Sequence, residues 1–525
     1  MMLALLPGEI VLQVVSFLDP QDLSELVLVS KDYYSFFIPV LYDQVVLPLN
    51  AYWDDGYRLV EGSHKNPVRR FCQAMIENPR LAPLIRSLTL YPSHCEKWRS
   101  RAPLPTVPEE KLRALMLPYG DAKRKHRRKY RAWRRDLRPD RERQDMYHEP
   151  WIYEDAWLAL LLVQVRNLER LAIRLPEERM KFDFETIPQT QGYTTHFDRV
   201  IHWARKPELG VLTRLSQVSL RDGPVWHNEG AIEAVPLKRM LPYLRIPSLR
   251  TLYVRNPCNG SLPRKLLRDL VPISSSLTHI DLEGPHDDLS NLPQFLEWCP
   301  NLESFAVEMD QPWHWRSWVD VSQLYRPLQK SRSSLRHLHV AFAGDGRQIT
   351  QDAESPRPTF FGDLSVFPNL HTVHLRWSNL LPFYGSRALE PAQPLRTLLP
   401  RSLQNLYIED CLMQGAWALG DELEGLLQYR REERGLPALQ RLFCQFVHHE
   451  GHSRGVPAPS REEKAPEPDL AWEGRLRGLQ EDLGALGVSL RVIKRGASVP
   501  FPPDRALRHN WPLCENGEYY NDFDY

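Results

Sequence analysis

The sequence predicts an α/β protein: three short helices at the N-terminus, then a stacked array of strand-helix units. Two patterns predict it. Residues 1–47 carry helix-start signals followed by apolar residues at helical spacing. Beyond them, an L-x-x-L-x-L pattern recurs ten times. The 525 residues allow one large or several ordinary domains, and 42% hydrophobic with 25% charged residues is ordinary for a globular chain.

Pro7 suits the first turn of a helix, where a missing N–H costs nothing. Ile10, Val14 and Leu18, with Val11 and Val15 beside them, form an i, i+4 apolar stripe. Asp19 is a good N-cap for a second helix, with Pro20 at its first position and Asp22 in its first turn. Leu23, Leu26 and Val27 supply that helix's apolar face. Ser30 can cap a third helix carrying Tyr33, Tyr34 and Phe37, which Pro39 is expected to disturb. Some forty residues cannot bury a self-sufficient core, so the apolar excess points to a packed partner.

The repeats begin at Ile85-x-x-Leu88-x-Leu90 and Leu168-x-x-Leu171-x-Ile173. They continue from Leu215, Leu249, Leu277, Leu302, Leu335, Leu370, Leu403 and Leu439. The last eight starts are 34, 28, 25, 33, 35, 33 and 36 residues apart, room for one strand and one helix each. The closing L-x-L reads as a strand, with the first Leu packed under the turn into it. Stacked units of this kind bury a continuous core with a parallel sheet along one side. Pro followed by a small or polar residue introduces many copies, as in Pro247-Ser248, Pro300-Asn301 and Pro368-Asn369.

An insertion from about 93 to 150 separates the first two repeats. It holds the basic run Lys123 to Lys129, continuing through Arg131, Arg134, Arg135 and Arg138. A helix with a solvated basic face and a nuclear-import signal both fit. Nucleic acid fits less well: only Tyr130 and Trp133 offer stacking, and acidic residues follow. Residues 448–469 are rich in Pro, Glu, Ser and Arg and read as a flexible loop. Residues 471–486 read as a helix, 488–493 as a last strand, and the acidic, aromatic tail as a cap or a loose end.

A net charge of +1 gives no global pull towards nucleic acid or anionic membrane. The seven cysteines are scattered and form no CxxC pair, which fits a reducing compartment without a disulfide framework or cysteine zinc site. Met1 to Leu6 lacks a basic n-region, and the longest apolar stretch elsewhere is half a membrane span. No P-loop, GxGxxG or GxSxG motif is present. Trp313, Trp315 and Trp318 read as packing residues. His448, His449, Glu450 and His452 lack the order of a zinc-protease helix, so no metal and no cofactor is expected.

The N-terminal residues Leu6-Pro7-Gly8-Glu9-Ile10, Asp19 to Leu23, Leu26 and Val29-Ser30-Lys31 resemble an F-box. Tyr33 and Tyr34 stand where that family often has Trp. The repeats resemble degenerate leucine-rich repeats, mostly lacking the Asn or Cys expected beyond the last Leu; only Cys411 fits. Together they resemble the fungal-type F-box family. The resemblance implies a non-catalytic substrate-recognition subunit of an SCF-type (Skp–cullin–F-box) ubiquitin ligase, in the cytoplasm or nucleus. Leu6, Pro7, Ile10, Val14, Leu18, Leu23, Leu26 and Val29 would contact the Skp adaptor, and through it cullin. The exposed sheet face would hold a protein target. Arg221, Tyr253, Arg255, His337, His339, His374, Arg376 and Tyr407 are its candidate anchors, since Tyr, Arg and His are common in interfaces. Two alternatives stay open: a Skp-binding scaffold or nuclear regulator without ubiquitin transfer, and a repeat-domain enzyme with dispersed catalytic residues.

Overall fold

The structure is a computed structural model. It describes residues 7–15, 17–47, 53–54, 58–59, 67–90, 108–116, 131, 133–134, 137, 153–175, 196–222, 224–227, 230–259, 275–284, 289–309, 320–342, 360–381, 391, 393–412, 416–433, 435–447 and 470–494. Leu6, the run Lys123 to Lys129, the three tryptophans 313, 315 and 318, the histidine-rich stretch 448–452 and the acidic tail lie outside them. The described residues fall into two compact units. One comprises those of Met1–Val225 with Ile246–Leu249, the other those of Trp226–Arg245 and Arg250–Cys514.

The first unit opens with helices α1 (Gly8–Val15), α2 (Pro20–Val29) and α3 (Lys31–Asp43). The caps form as the sequence predicts. Asp19 Oδ1 accepts the Asp22 N–H at 2.8 Å, the Asp22 carboxylate accepts the Asp19 N–H in return, and Ser30 Oγ accepts the Tyr33 N–H at 3.1 Å. Pro39 does not end α3, which runs four residues past it. Its ring is exposed, while Phe37 before it is buried and Ile38, Val40 and Leu41 pack beside the same core. Burial on both sides of the proline outweighs the one hydrogen bond it removes.

Strands β1 (Gln44–Leu47), β2 (Ser87–Leu90), β3 (Arg170–Leu175) and β4 (Gln217–Asp222) follow in this unit, paired in parallel and in sequence order. The second unit contributes eight more parallel strands: β5 (Thr251–Arg255), β6 (His279–Glu283), β7 (Ser304–Met309), β8 (His337–Phe342), β9 (Thr372–Arg376), β10 (Asn405–Leu412), β11 (Arg441–Val447) and β12 (Ser489–Lys494). All ten L-x-L segments lie on strands. In all ten repeats the three pattern positions are at most 2% exposed, so this pattern is the core. The last strand follows helix Leu470–Ala485, within one residue of the expected bounds.

Among the described residues, the helical part of the connections from β6 to β9 is short. Between β6 and β7 it is Leu292–Leu296, between β7 and β8 Ser322–Leu328, and before β9 a single 3-10 turn, Leu364–Val366. Longer helices stand before β2, β3 and β4, at Pro67–Glu77, Tyr153–Leu162 and His196–Ala204, and in the last two connections, Ala416–Glu433 and Leu470–Ala485. There Arg475 bridges the two helices, meeting Asp421 and Glu424 (2.8 Å), and lies over the Trp417 ring.

What repeats is the hydrogen bonding between units. The carbonyl after the leading Leu accepts two N–H groups from the next unit. Arg250, Thr278, Glu303, Arg336, His371 and Gln404 all do this. Serine just before the leading Leu adds a second tie: Ser248 donates to the Leu215 carbonyl, Ser334 to Leu302 and Ser402 to Leu370, each at 2.8 Å. These ties satisfy backbone groups that would otherwise be buried without partners. They link neighbouring units although the expected Asn is mostly missing.

The insertion is partly docked. Trp133 and Leu137 are buried, and Trp133 Nε1 donates to the Ala156 carbonyl at 2.9 Å while its ring stacks on His196. Asp155 accepts the N–H groups of His196 (2.6 Å) and Phe197 (2.8 Å), capping helix His196–Ala204; burial raises its pKa, and those bonds act against the rise. The five described cysteines are free. Burial pushes the Cys299 thiol up to about 12, so it is a packing group at neutral pH.

Candidate functional site

Helix α1 is apolar on two sides. Val11 and Val15 join Leu23, Val27 and Phe37 in the segment's own core, with Leu18 and Leu26 half-buried beside them. Ile10 (43% exposed) and Val14 (38%), four residues apart on one face of the helix, face away from that core, and Phe17 (86%) is exposed just past the helix end. On α2, Leu28 (84%) and Val29 (66%) are also exposed.

The expected adaptor contacts therefore divide. Pro7, Ile10, Val14 and Val29 are accessible, and Leu6 lies outside the described residues. Leu23 is buried inside the segment, where it serves packing instead. Phe17 and Leu28, the two most exposed large apolar side chains among the described residues, were not picked out from the sequence. Phe17 falls just past the end of α1, and Leu28 lies between the core position Val27 and the helix end. A wheel drawn from α1 through Leu18 would have shown two apolar faces, not one.

The candidate target face divides as well. The strand register sets Tyr253, Asp281, Ala306, His339, His374, Tyr407 and Phe443 in one row across β5 to β11. His339, His374 and Tyr407 are adjacent in it. The His339 and His374 rings meet edge to face with centroids 4.2 Å apart. Tyr407 lies 5.4 Å from His374 and stacks on Phe443 at 4.6 Å, the planes within 3°. Glu409 Oε1 is 2.6 Å from His374 Nε2. Burial raises the pKa of the Tyr407 hydroxyl, and the adjacent Arg441 guanidinium acts against that.

Tyr253 stands three strand spacings from His339, roughly 14 Å away. His337 occupies the next row, opposite Thr372, and Arg376 sits opposite Glu409. Arg221 belongs to the other unit, on β4.

The expectation of an exposed face is not met in the row's centre. Tyr253, His339, His374, Arg376 and Tyr407 are all buried, His374 and Tyr407 to 2%. Flat rings on neighbouring strands cover one another, so each loses solvent to the next. Arg221, Arg255 and His337 stay half-exposed.

Among the described residues no three His, Cys, Asp or Glu side chains gather as metal ligands, and no helix is long and apolar enough to cross a membrane. No family model matches the chain, and no curated protein matches it.

Proposed function

We propose that this chain is the substrate-recognition subunit of an SCF-type ubiquitin ligase. In this reading residues 1–47 are an F-box that docks a Skp-type adaptor and through it cullin. The stacked parallel strands are a degenerate leucine-rich-repeat solenoid that holds a protein target. The chain performs no chemistry itself. It raises the effective concentration of target beside another subunit's ubiquitin carrier.

One observation carries the reading. The helical segment fills its own small core with Val11, Val15, Leu23, Val27 and Phe37, yet leaves Ile10, Val14, Phe17, Leu28 and Val29 in water. Burying a large apolar side chain is worth about 1.5–3 kcal/mol, so five exposed ones on two short helices and the turn between them favour a partner. They lie in the stretch whose sequence resembles an F-box.

The test is co-purification of the Skp adaptor with the full chain and with Phe17→Asp and Leu28→Asp. Both sites are more than four-fifths exposed, so the substitutions leave the segment's core intact. The adaptor is expected with wild type and lost, by at least about tenfold in affinity, with either variant, since an unpaired carboxylate would be buried on docking. Equal recovery with all three chains would end this reading.

A further inference from the structure

We infer that the outer face of helix Ala416–Glu433, anchored on Trp417, is a docking surface for a basic segment of a partner protein. The inference uses none of the N-terminal residues and does not rest on the ligase reading.

Trp417 is 47% exposed, whereas Trp472, whose ring it meets edge to face at 6.0 Å, is 3% exposed. Among the described side chains Trp417 is the one exposed tryptophan. An indole carries a large apolar area, and tryptophan is enriched among the anchors of protein interfaces.

The ring is held in place. Arg475 lies over it, the guanidinium carbon 5.3 Å from the ring centroid, and donates to the Trp417 carbonyl at 3.3 Å. The same guanidinium donates to Asp421 and, at 2.8 Å, to Glu424. Gly420 leaves the space for this clamp: a Cβ there would stand 2.9 Å from the Arg475 guanidinium and 3.0 Å from the Trp472 ring. Glycine weakens a helix interior, so its presence here favours the clamp over the helix. A side chain fixed before binding loses little freedom on binding, which suits an anchor.

The charges beside the anchor select the partner. Trp417, Asp421, Glu424 and Gln428 follow at i, i+4, i+7 and i+11, one exposed face of the helix. The Arg475 side chain is 17% exposed, but those of Asp421 and Glu424 are 70% and 50% exposed. A carboxylate accepts several hydrogen bonds, so both can take further donors. The helix carries five acidic and two basic residues, in a chain of net charge +1. A lysine or arginine can meet the indole and the carboxylates together. A second copy of this chain would set acid against acid, and nucleic acid or an anionic membrane would be repelled.

The experiment follows the fluorescence anisotropy of labelled octa-arginine and octaglutamate on the full chain at fixed ionic strength, with light scattering to read the mass. The comparison variants are Trp417→Ala, Trp417→Phe and Gln428→Lys, each checked by its melting profile. Wild type is expected to bind octa-arginine and not octaglutamate. Trp417→Ala should weaken octa-arginine binding about fivefold, with Trp417→Phe between the two. Gln428→Lys leaves every clamp contact in place and should weaken binding through its charge alone, so it decides the matter if Trp417→Ala melts early. No binding of octa-arginine by wild type, or equal binding by Trp417→Ala and Gln428→Lys, overturns the surface. Equal binding of octaglutamate overturns the basic partner. So does a mass that doubles in wild type and returns to that of one chain in Trp417→Ala, which assigns the surface to a second copy. Adaptor recovery depends on none of these residues, so either reading can fail alone.

Discussion

Phe37→Ala should unfold the N-terminal helical segment. Phe37 is 2% exposed, and it touches the rings of Tyr33 (centroids 5.4 Å apart) and Phe36 (5.1 Å), both edge to face. It is the largest of the described buried side chains of a core that also holds Val11, Val15, Leu23 and Val27. Truncating a buried Phe costs about 3–5 kcal/mol, through lost transfer energy and the cavity left behind. A segment of some forty residues has no such margin. The sheet core, built from the repeats, does not depend on Phe37. Denaturant unfolding followed by far-UV circular dichroism and limited proteolysis should show early cleavage within residues 8–43 and a later transition close to that of wild type. A shift under about 1 kcal/mol with unchanged protease resistance would mean that these helices are held by something other than their own core.

Tyr407→Ala should destabilise the second unit by a similar amount, about 3–5 kcal/mol. Its ring is 2% exposed, stacks on Phe443 at 4.6 Å and lies 5.4 Å from His374. Removing it opens a cavity between two rings and leaves the His374–Glu409 contact at a void's edge. Tyr407→Phe keeps the ring and should stay within about 1.5 kcal/mol, the worth of one hydroxyl interaction. Denaturant melts of the two variants check this; equal and small effects would show that the row of rings is loosely packed. The consequence for function is practical. Alanine at Tyr407 cannot report on target binding, because it damages the fold first. Arg255 and His337, half-exposed on the same sheet, are the positions where a substitution tests binding rather than packing.

The helix caps, the ten strands and their parallel order were legible in the sequence because each rests on local chemistry. Asp19 and Ser30 have short acceptors at helix starts, and the L-x-x-L-x-L spacing admits one way of burying three apolar residues around a strand. What sequence spacing does not carry is which of two apolar faces a helix keeps for itself. Val11 and Val15 look like neighbours of an Ile10–Val14–Leu18 stripe until Phe37 and Leu23 are seen to pack on them. Nor does alternation say whether an outward position meets water. His339, His374 and Tyr407 point away from the core as expected, but their rings shield one another once the register is fixed. Pro39 was expected to disturb its helix because the rule is local, whereas the burial that outweighs it comes from the three-helix core. The Trp417–Arg475 contact needs the packing of two helices, since the two residues are 58 positions apart in the chain.

The measurement that bears most directly on the central claim is amide hydrogen exchange on the full chain, alone and with a purified Skp-type adaptor. Docking through the exposed apolar side chains would slow exchange in α1 and α2, Gly8–Val29, and leave the parallel strands unchanged. No slowing between Gly8 and Val29 at saturating adaptor would contradict the account, leaving the helices a cap on the first unit and the ligase assignment without support.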